Sequence, residues 1–283
     1  MEITNEKIIG QGNTAEIYKI DNNRILKLFR TGLPKSVVER EYQNGITVQT
    51  ILNCVPKVYE MVEINGRHGI IYEEVKGRDL LKTMLISLWK INDYARKLAH
   101  YHLDIQKPVN DTLCSVKEKL EKDLNDVTVL SGEYKEIIQE YINQLPDGNG
   151  LCHFDYHPGN IMIADNKAVF LDWMTACRGD VCADVARTCI LLKYGEVARA
   201  PWIMRKLIMI SQHHIYKIYI KEYLMISKRS IEDINRWELP VAAARLREWI
   251  SENEKKALIQ LVNERCSEIV KKHNSTTCEK GSA

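Results

Sequence analysis

The hydrophobic pattern of this 283-residue chain is mainly strand-like to about Val75 and mainly helical from Leu80, and that shift limits the folds open to it. Up to about Val75 the apolar residues come in short runs. Lys7-Ile8-Ile9 leads into glycines, Glu16 to Ile20 and Arg24 to Phe29 flank Asp21-Asn22-Asn23, and Lys57 to Ile64 and His68 to Val75 flank Asn65-Gly66. Such runs bounded by turn residues read as strands, and Asn-Gly is the pair that best accepts the two positive φ angles of a type I′ hairpin turn. Between the hairpins, Ser36-Val37-Val38-Glu39 after Pro34 has the capping-box pattern and predicts a helix to about Leu52. From Leu80 onward the period is helical, with helices expected over roughly 88–104, 115–129, 133–144, 180–193, 199–226 and 240–272. One hairpin interrupts them, Asn160 to Ala164 and Ala168 to Leu171 around Asp165-Asn166-Lys167. The expected class is α+β: a small antiparallel sheet with one helix over residues 1–74, then a larger, mainly helical part over 75–283.

Charge and composition exclude several functions. A net charge of +2 gives no basic field for nucleic acid, although residues 196–283, with 16 basic and 11 acidic side chains, are more basic than residues 1–195, with 24 and 27. No apolar run approaches the roughly 20 residues of a bilayer span and the N-terminus lacks a signal layout, so the expectation is a cytoplasmic protein with no nucleic-acid or membrane partner. Eight cysteines without a C-x-x-C pair read as reduced thiols, and Cys177, Cys182 and Cys189 as packing residues rather than metal ligands.

Two N-terminal features carry chemistry. Gly10-Gln11-Gly12-Asn13-Thr14-Ala15 puts two glycines where a backbone can turn and present N–H groups to phosphate. A dinucleotide-binding crossover needs a helix directly after such glycines, whereas a strand and a turn follow here, which suits a hairpin lid. Lys27, within Ile25-Leu26-Lys27-Leu28-Phe29, is a cation in an apolar strand and needs an anion. A nucleotide phosphate and a carboxylate from the next helix both qualify, and Glu41 is preferred to Glu39, which the cap would occupy.

The most specific segment is Leu151-Cys152-His153-Phe154-Asp155-Tyr156-His157-Pro158-Gly159-Asn160, followed by Leu171-Asp172-Trp173. It resembles the H-x-D-x-x-x-x-N loop and following apolar strand and Asp of the aminoglycoside phosphotransferase and choline kinase family, small-molecule relatives of protein kinases. The resemblance implies a two-lobed protein-kinase-like fold that moves the γ-phosphate of ATP, with GTP as the alternative nucleotide, to a hydroxyl of a small molecule such as an aminoglycoside, an amino-alcohol or a sugar. It makes Asp155 the catalytic base and Asn160 and Asp172 the Mg2+ ligands. It assigns Gly10, Gly12 and Lys27 to the phosphates, with Glu41 clamping Lys27, places Ile17 and Ile25 around adenine, and sets Glu73, Glu74 and Val75 at the hinge that bonds the base. Arg178-Gly179-Asp180-Val181-Cys182-Ala183-Asp184-Val185-Ala186 resembles the family's G-D-x-x-x-D stretch, with Asp180 capping a helix and Asp184 supporting the catalytic loop. Ala15 in place of the third glycine and Trp173-Met174 in place of Phe-Gly depart from the protein-kinase pattern.

Other readings compete. His153, Asp155 and His157 alternate as metal ligands on a strand would, but Pro158-Gly159 opposes an extended strand there. A protein Ser/Thr kinase needs a long docking segment between Asp172 and the helix at Asp180, and an inactive nucleotide-binding scaffold is disfavoured by the presence of Lys27, Asp155, Asn160 and Asp172 together.

Overall fold

The computed structural model describes residues 8–12, 14–196 and 202–280, without the side chains of 202–208 and 272–280. In chain order the elements begin with strands β1 (Ile8–Gln11), β2 (Ala15–Lys19) and β3 (Arg24–Phe29), helix α1 (Lys35–Ile51), strands β4 (Val58–Ile64), β5 (Arg67–Glu73) and β6 (Arg78–Asp79), and helix α2 (Leu80–Ile86). Helices α3 (Ile91–Ile105), α4 (Val116–Asn125) and α5 (Gly132–Gln144) follow, then strands β7 (Gly150–Cys152), β8 (Ile161–Ala164), β9 (Lys167–Phe170) and β10 (Cys177–Gly179). The chain closes with helices α6 (Val181–Tyr194), α7 (Trp202–Ser227), α8 (Ile231–Asn235), α9 (Glu238–Arg245) and α10 (Glu252–Lys280). It divides into two compact units, residues 1–91 with 155–176, and residues 92–154 with 177–283. The class is the expected α+β.

The first unit is built on an antiparallel sheet of order β1-β2-β3-β5-β4. Ile64 pairs with Arg67, so the β4–β5 turn is the two residues Asn65 and Gly66, at φ 51° and 73°, as their sequence requires. One face of the sheet, with Ala15, Phe29, Val58 and Ile70, packs on Val38 of α1, and the other buries Leu26, Leu28, Ile64 and Ile71. A second small sheet, β6-β8-β9, contains the later hairpin, which turns at Asp165 and Asn166, φ 48° and 61°. The second unit is helical apart from the β7–β10 pair.

Two expectations need correction. Ser36 does not cap α1: the helix enters two residues earlier, with Pro34 at φ −58° in the cap position, no side-chain cap forms, and Glu39 pairs with Lys35 at 3.2 Å. The helix expected over 240–272 is two helices, and the break between them lets the Arg245 and Glu254 side chains meet at 2.5 Å in the core, whereas nine residues of straight helix would hold their backbones about 13 Å apart. The expected start of α7 at residue 199 lies outside the described residues. Short α2 and α8 lay below the reach of periodicity, although the Ser230 and Asp233 capping box of α8 is a local signal.

Gly77 tests the close packing of the small sheet. An added Cβ there would lie 2.5 Å from Ile163 O and 2.9 Å from its carbon, both backbone. Gly77→Ala is expected to cost about 2–3 kcal/mol, read from the urea midpoint.

Candidate active site

Every residue expected from sequence to touch nucleotide, metal or acceptor falls in the first unit. Lys27 extends from the face of β3 that also carries Ile25 and, across to β2, its neighbour Ile17. Its ammonium lies 2.6 Å from Glu41 Oε1 and 3.3 Å from Asp172 Oδ1. Burial alone would lower the Lys27 pKa, but the Asp172 and Glu41 carboxylates outweigh it and hold the group above its ordinary value and charged. Burial raises the Glu41 carboxyl, partly offset by Lys27. Tyr72, opposite Ile25 on β5, donates its hydroxyl to the same Glu41 oxygen at 2.9 Å.

The loop between Tyr156 and β8 makes a 3-10 turn at Pro158–Asn160, with His157 Nδ1 accepting Gly159 N–H at 3.0 Å. Asn160 folds back on Asp155, its Nδ2 donating to the Asp155 carbonyl at 2.9 Å and to Oδ2 at 3.1 Å. Leu171 N–H donates to Asn160 O at 2.8 Å, which carries the loop to the neighbour of Asp172. Asp172 takes φ 61°, a left-handed conformation that few side chains other than glycine adopt freely. The segment after it is held by the buried Asn44, whose Nδ2 lies 3.2, 3.1 and 3.4 Å from the carbonyls of Trp173, Met174 and Ala176. Asn44 was missed in the sequence, though it stands on the buried stripe Glu41, Asn44, Val48 of α1, where a polar residue needs a partner.

Gly10 and Gly12 lie at the end of β1, where Gly12 N–H donates to Ala15 O at 2.9 Å. Neither has a positive φ, and an added Cβ would come no closer than 3.4 Å to another atom, so the fold itself does not require glycine at either place. At the end of β5 the Glu73 and Glu74 N–H groups donate to Lys57 O and Asn23 O at 2.9 and 2.7 Å. Their carboxylates take the Lys57 N–H at 3.1 Å and the Lys19 ammonium at 2.9 Å. Among the described residues the Val75 N–H has no such partner. The donor set suits a hard cation: the Asn160 amide uses its nitrogen on Asp155 and so presents its oxygen, and the Asp172 carboxylate is 39% exposed. The three-ligand reading of His153, Asp155 and His157 gains nothing, since no group of three or more His, Cys, Asp or Glu among the described residues could hold a metal ion.

In the second unit Asp184 is buried at the start of α6, which Asp180 caps by accepting Cys182 N–H at 3.0 Å. Its carboxylate accepts His153 N–H at 2.7 Å and Phe154 N–H at 2.8 Å, just before Asp155 in sequence, and meets His102 Nε2 at 3.0 Å. Tyr219 OH holds the other ring nitrogen of His102 at 2.6 Å. Phe154 sits at φ 62°, so Asp184 bonds the N–H of a strained residue.

The profile of the phosphotransferase enzyme family, APH, matches residues 6–209. The chain belongs to this family. No curated protein matches it. Among solved structures, the streptomycin–ATP–APH(2")-IIa ternary complex superposes with a TM-score of 0.52 at 15% identity, over 86% of each chain. A type VIII aminoglycoside-3'-phosphotransferase gives 0.51 at 14% identity, over 86% of this chain and 92% of that one. APH(3'')-Id from Streptomyces rimosus gives 0.51 at 16%, over 84% and 92%. At these identities the likeness is one of fold, and it agrees with the α+β architecture described above.

Asp184 should mark the acid limit of stability. Burial alone would raise its carboxyl, but His102 and the His153 N–H hold it below the ordinary 3.8. A carboxylate depressed in the folded state contributes stability that is present above its unfolded value and is lost as pH falls through its folded one. The urea midpoint of the wild type should therefore fall on acidification below that ordinary value. Asp184→Asn should cost about 2–4 kcal/mol at neutral pH and show a shallower acid decline.

Proposed function

We propose that this phosphotransferase is an ATP- and magnesium-dependent kinase of a hydroxyl-bearing small molecule, with Asp155 as the base. The observation that carries the reading is the run of contacts in one unit, from Glu41 through Lys27 to Asp172 and, through Leu171 and Asn160, to Asp155. Magnesium held by Asn160 and Asp172 would neutralise charge on the triphosphate. Lys27, kept charged by its two carboxylates, grips a phosphate oxygen. Gly10 and Gly12, free of side chains although the fold does not demand it, let the β1–β2 turn approach the phosphates. Ile17 and Ile25 cover the base, and Val75 supplies an N–H to it while those of Glu73 and Glu74 are spent within the protein. Asp155, steered by Asn160, orients the acceptor hydroxyl and takes its proton as the oxygen attacks. ATP is the nucleotide in the streptomycin complex that this fold matches, and GTP remains the alternative.

The acceptor is better sought outside polycationic antibiotics. Glu222 on α7, Glu238 on α9 and Glu248 after α9 are acidic residues that could draw a polycation, but each is already paired: Glu222 with His100 at 3.0 Å, Glu238 with Lys193 at 2.8 Å, and Glu248 with Arg187 at 2.6 Å. An aromatic cage there is equally unsupported. Trp237 is buried in the core, Trp249 stands fully exposed, and the Trp202 side chain lies outside the described residues.

Magnesium-dependent ATP consumption against aminoglycosides, choline, amino-alcohols, sugars and nucleosides tests the reading. Asp155→Asn should lower turnover by about 10³-fold while leaving ATP affinity within about two-fold. Near wild-type rates in that variant would remove Asp155 as base. Asp172→Ala should instead weaken magnesium-ATP binding by about ten-fold or more in calorimetry. Turnover of a peptide library with none of small hydroxyl compounds would make it a protein kinase.

A further inference from the structure

The segment after the β5 strand carries a feature that phosphoryl transfer does not use. Leu85, Ile86, Leu88 and Trp89, four of five consecutive residues, are 46%, 75%, 55% and 78% exposed. Single exposed apolar side chains are ordinary, but a contiguous group of large ones marks a contact surface. The support beneath them is well made. Leu80 and Met84 are buried, Asp79 caps α2 by accepting Lys82 N–H at 3.1 Å, and Ser87 N–H closes the helix on Thr83 O at 3.0 Å. At Ser87 the chain passes from α2 into the 3-10 turn Leu88–Lys90, so the apolar side chains project from a corner.

The charge along the segment is mostly of one sign. Lys76, Arg78, Lys82 and Lys90 are exposed, and the single acidic residue over 76–90 is Asp79, whose carboxylate serves as the helix cap. The next acidic residue, Asp93, is paired with Arg96 at 3.3 Å. We propose that this corner docks the protein on the surface of an anionic lipid bilayer. A tryptophan among aliphatic side chains seats at the boundary of headgroups and acyl chains, while lysines lay their stems along the apolar surface and keep their ammonium groups among the phosphates. A lipid interface deforms around a projecting tip, whereas a protein partner would need a matching groove. A second copy of the chain would set four cations against four, and anionic lipid instead complements them. Among the described residues no helix is long and apolar enough to cross a membrane, and adsorption to a surface requires none. The proposal is independent of the kinase reading.

Cosedimentation of the full chain with phosphatidylcholine vesicles, with and without about 30% phosphatidylserine, tests it. The wild type should partition about ten-fold or more in favour of the anionic vesicles at low salt. The triple variant Ile86→Ser, Leu88→Ser, Trp89→Ser should lose about ten-fold of that partitioning, with an unchanged circular dichroism spectrum and thermal midpoint as evidence of folding. Lys82→Glu with Lys90→Glu should lose as much, whereas the charge-matched control Lys221→Glu with Lys256→Glu should lose clearly less. Absence of wild-type binding, equal binding to both vesicles, or full binding by the triple variant would overturn the proposal. Self-association without vesicle binding, abolished in the triple variant, would overturn it too and assign the corner to a second copy of the chain.

Discussion

The first unit depends on the ammonium of Lys27. A cation inside a hydrophobic strand is expensive unless carboxylates meet it, and here they come from two places, Glu41 on α1 and Asp172 beyond β9. The separation of 145 residues between Lys27 and Asp172 means that one electrostatic requirement ties the N-terminal sheet to the later hairpin. Tyr72 adds a hydroxyl to Glu41, so α1, β3 and β5 converge on a single carboxylate. The arrangement leaves Glu41 Oε2 buried without a partner. An unsatisfied buried oxygen has a cost of its own, which the ion pair offsets.

Two side-chain-bearing residues beside the proposed chemistry occupy left-handed backbone, Phe154 just before Asp155 and Asp172 itself. Each such conformation costs of order 1–3 kcal/mol and persists only where neighbours over-determine it. Asp184 holds Phe154 by its N–H, and Asn44 holds the carbonyls that follow Asp172. The two braces share a logic, since a buried polar side chain with no water to bond must spend its capacity on backbone. His102 and Tyr219 extend the first brace across the helices of the second unit, so that the Asp184 carboxylate is satisfied on both oxygens.

Local chemistry in the sequence decided the hairpins. Asn65-Gly66 and Asp165-Asn166 carry the residue types that tolerate positive φ, and the strand runs beside them needed no distant information. The shift of hydrophobic pattern near Val75 likewise marked where the N-terminal sheet gives way to a mainly helical stretch, and the order of Lys27, Asp155, Asn160 and Asp172 named the residues worth placing. Tertiary structure decided the rest. Glu39 and Glu41 were both candidates to meet Lys27, and the register of α1 on the sheet turned Glu41 inward and left Glu39 to Lys35. The break between α9 and α10 brings Arg245 to Glu254 in the core, a contact that the helical pattern of the sequence did not announce. Asn44, His102 and Tyr219 found partners far along the chain, whereas the bonds of Asp184 to the loop before Asp155 agree with the sequence expectation. Turn and helix preferences act within a few residues and can be read from a sequence, whereas the pairing of a buried polar group is settled only when the folded chain brings its partners to it.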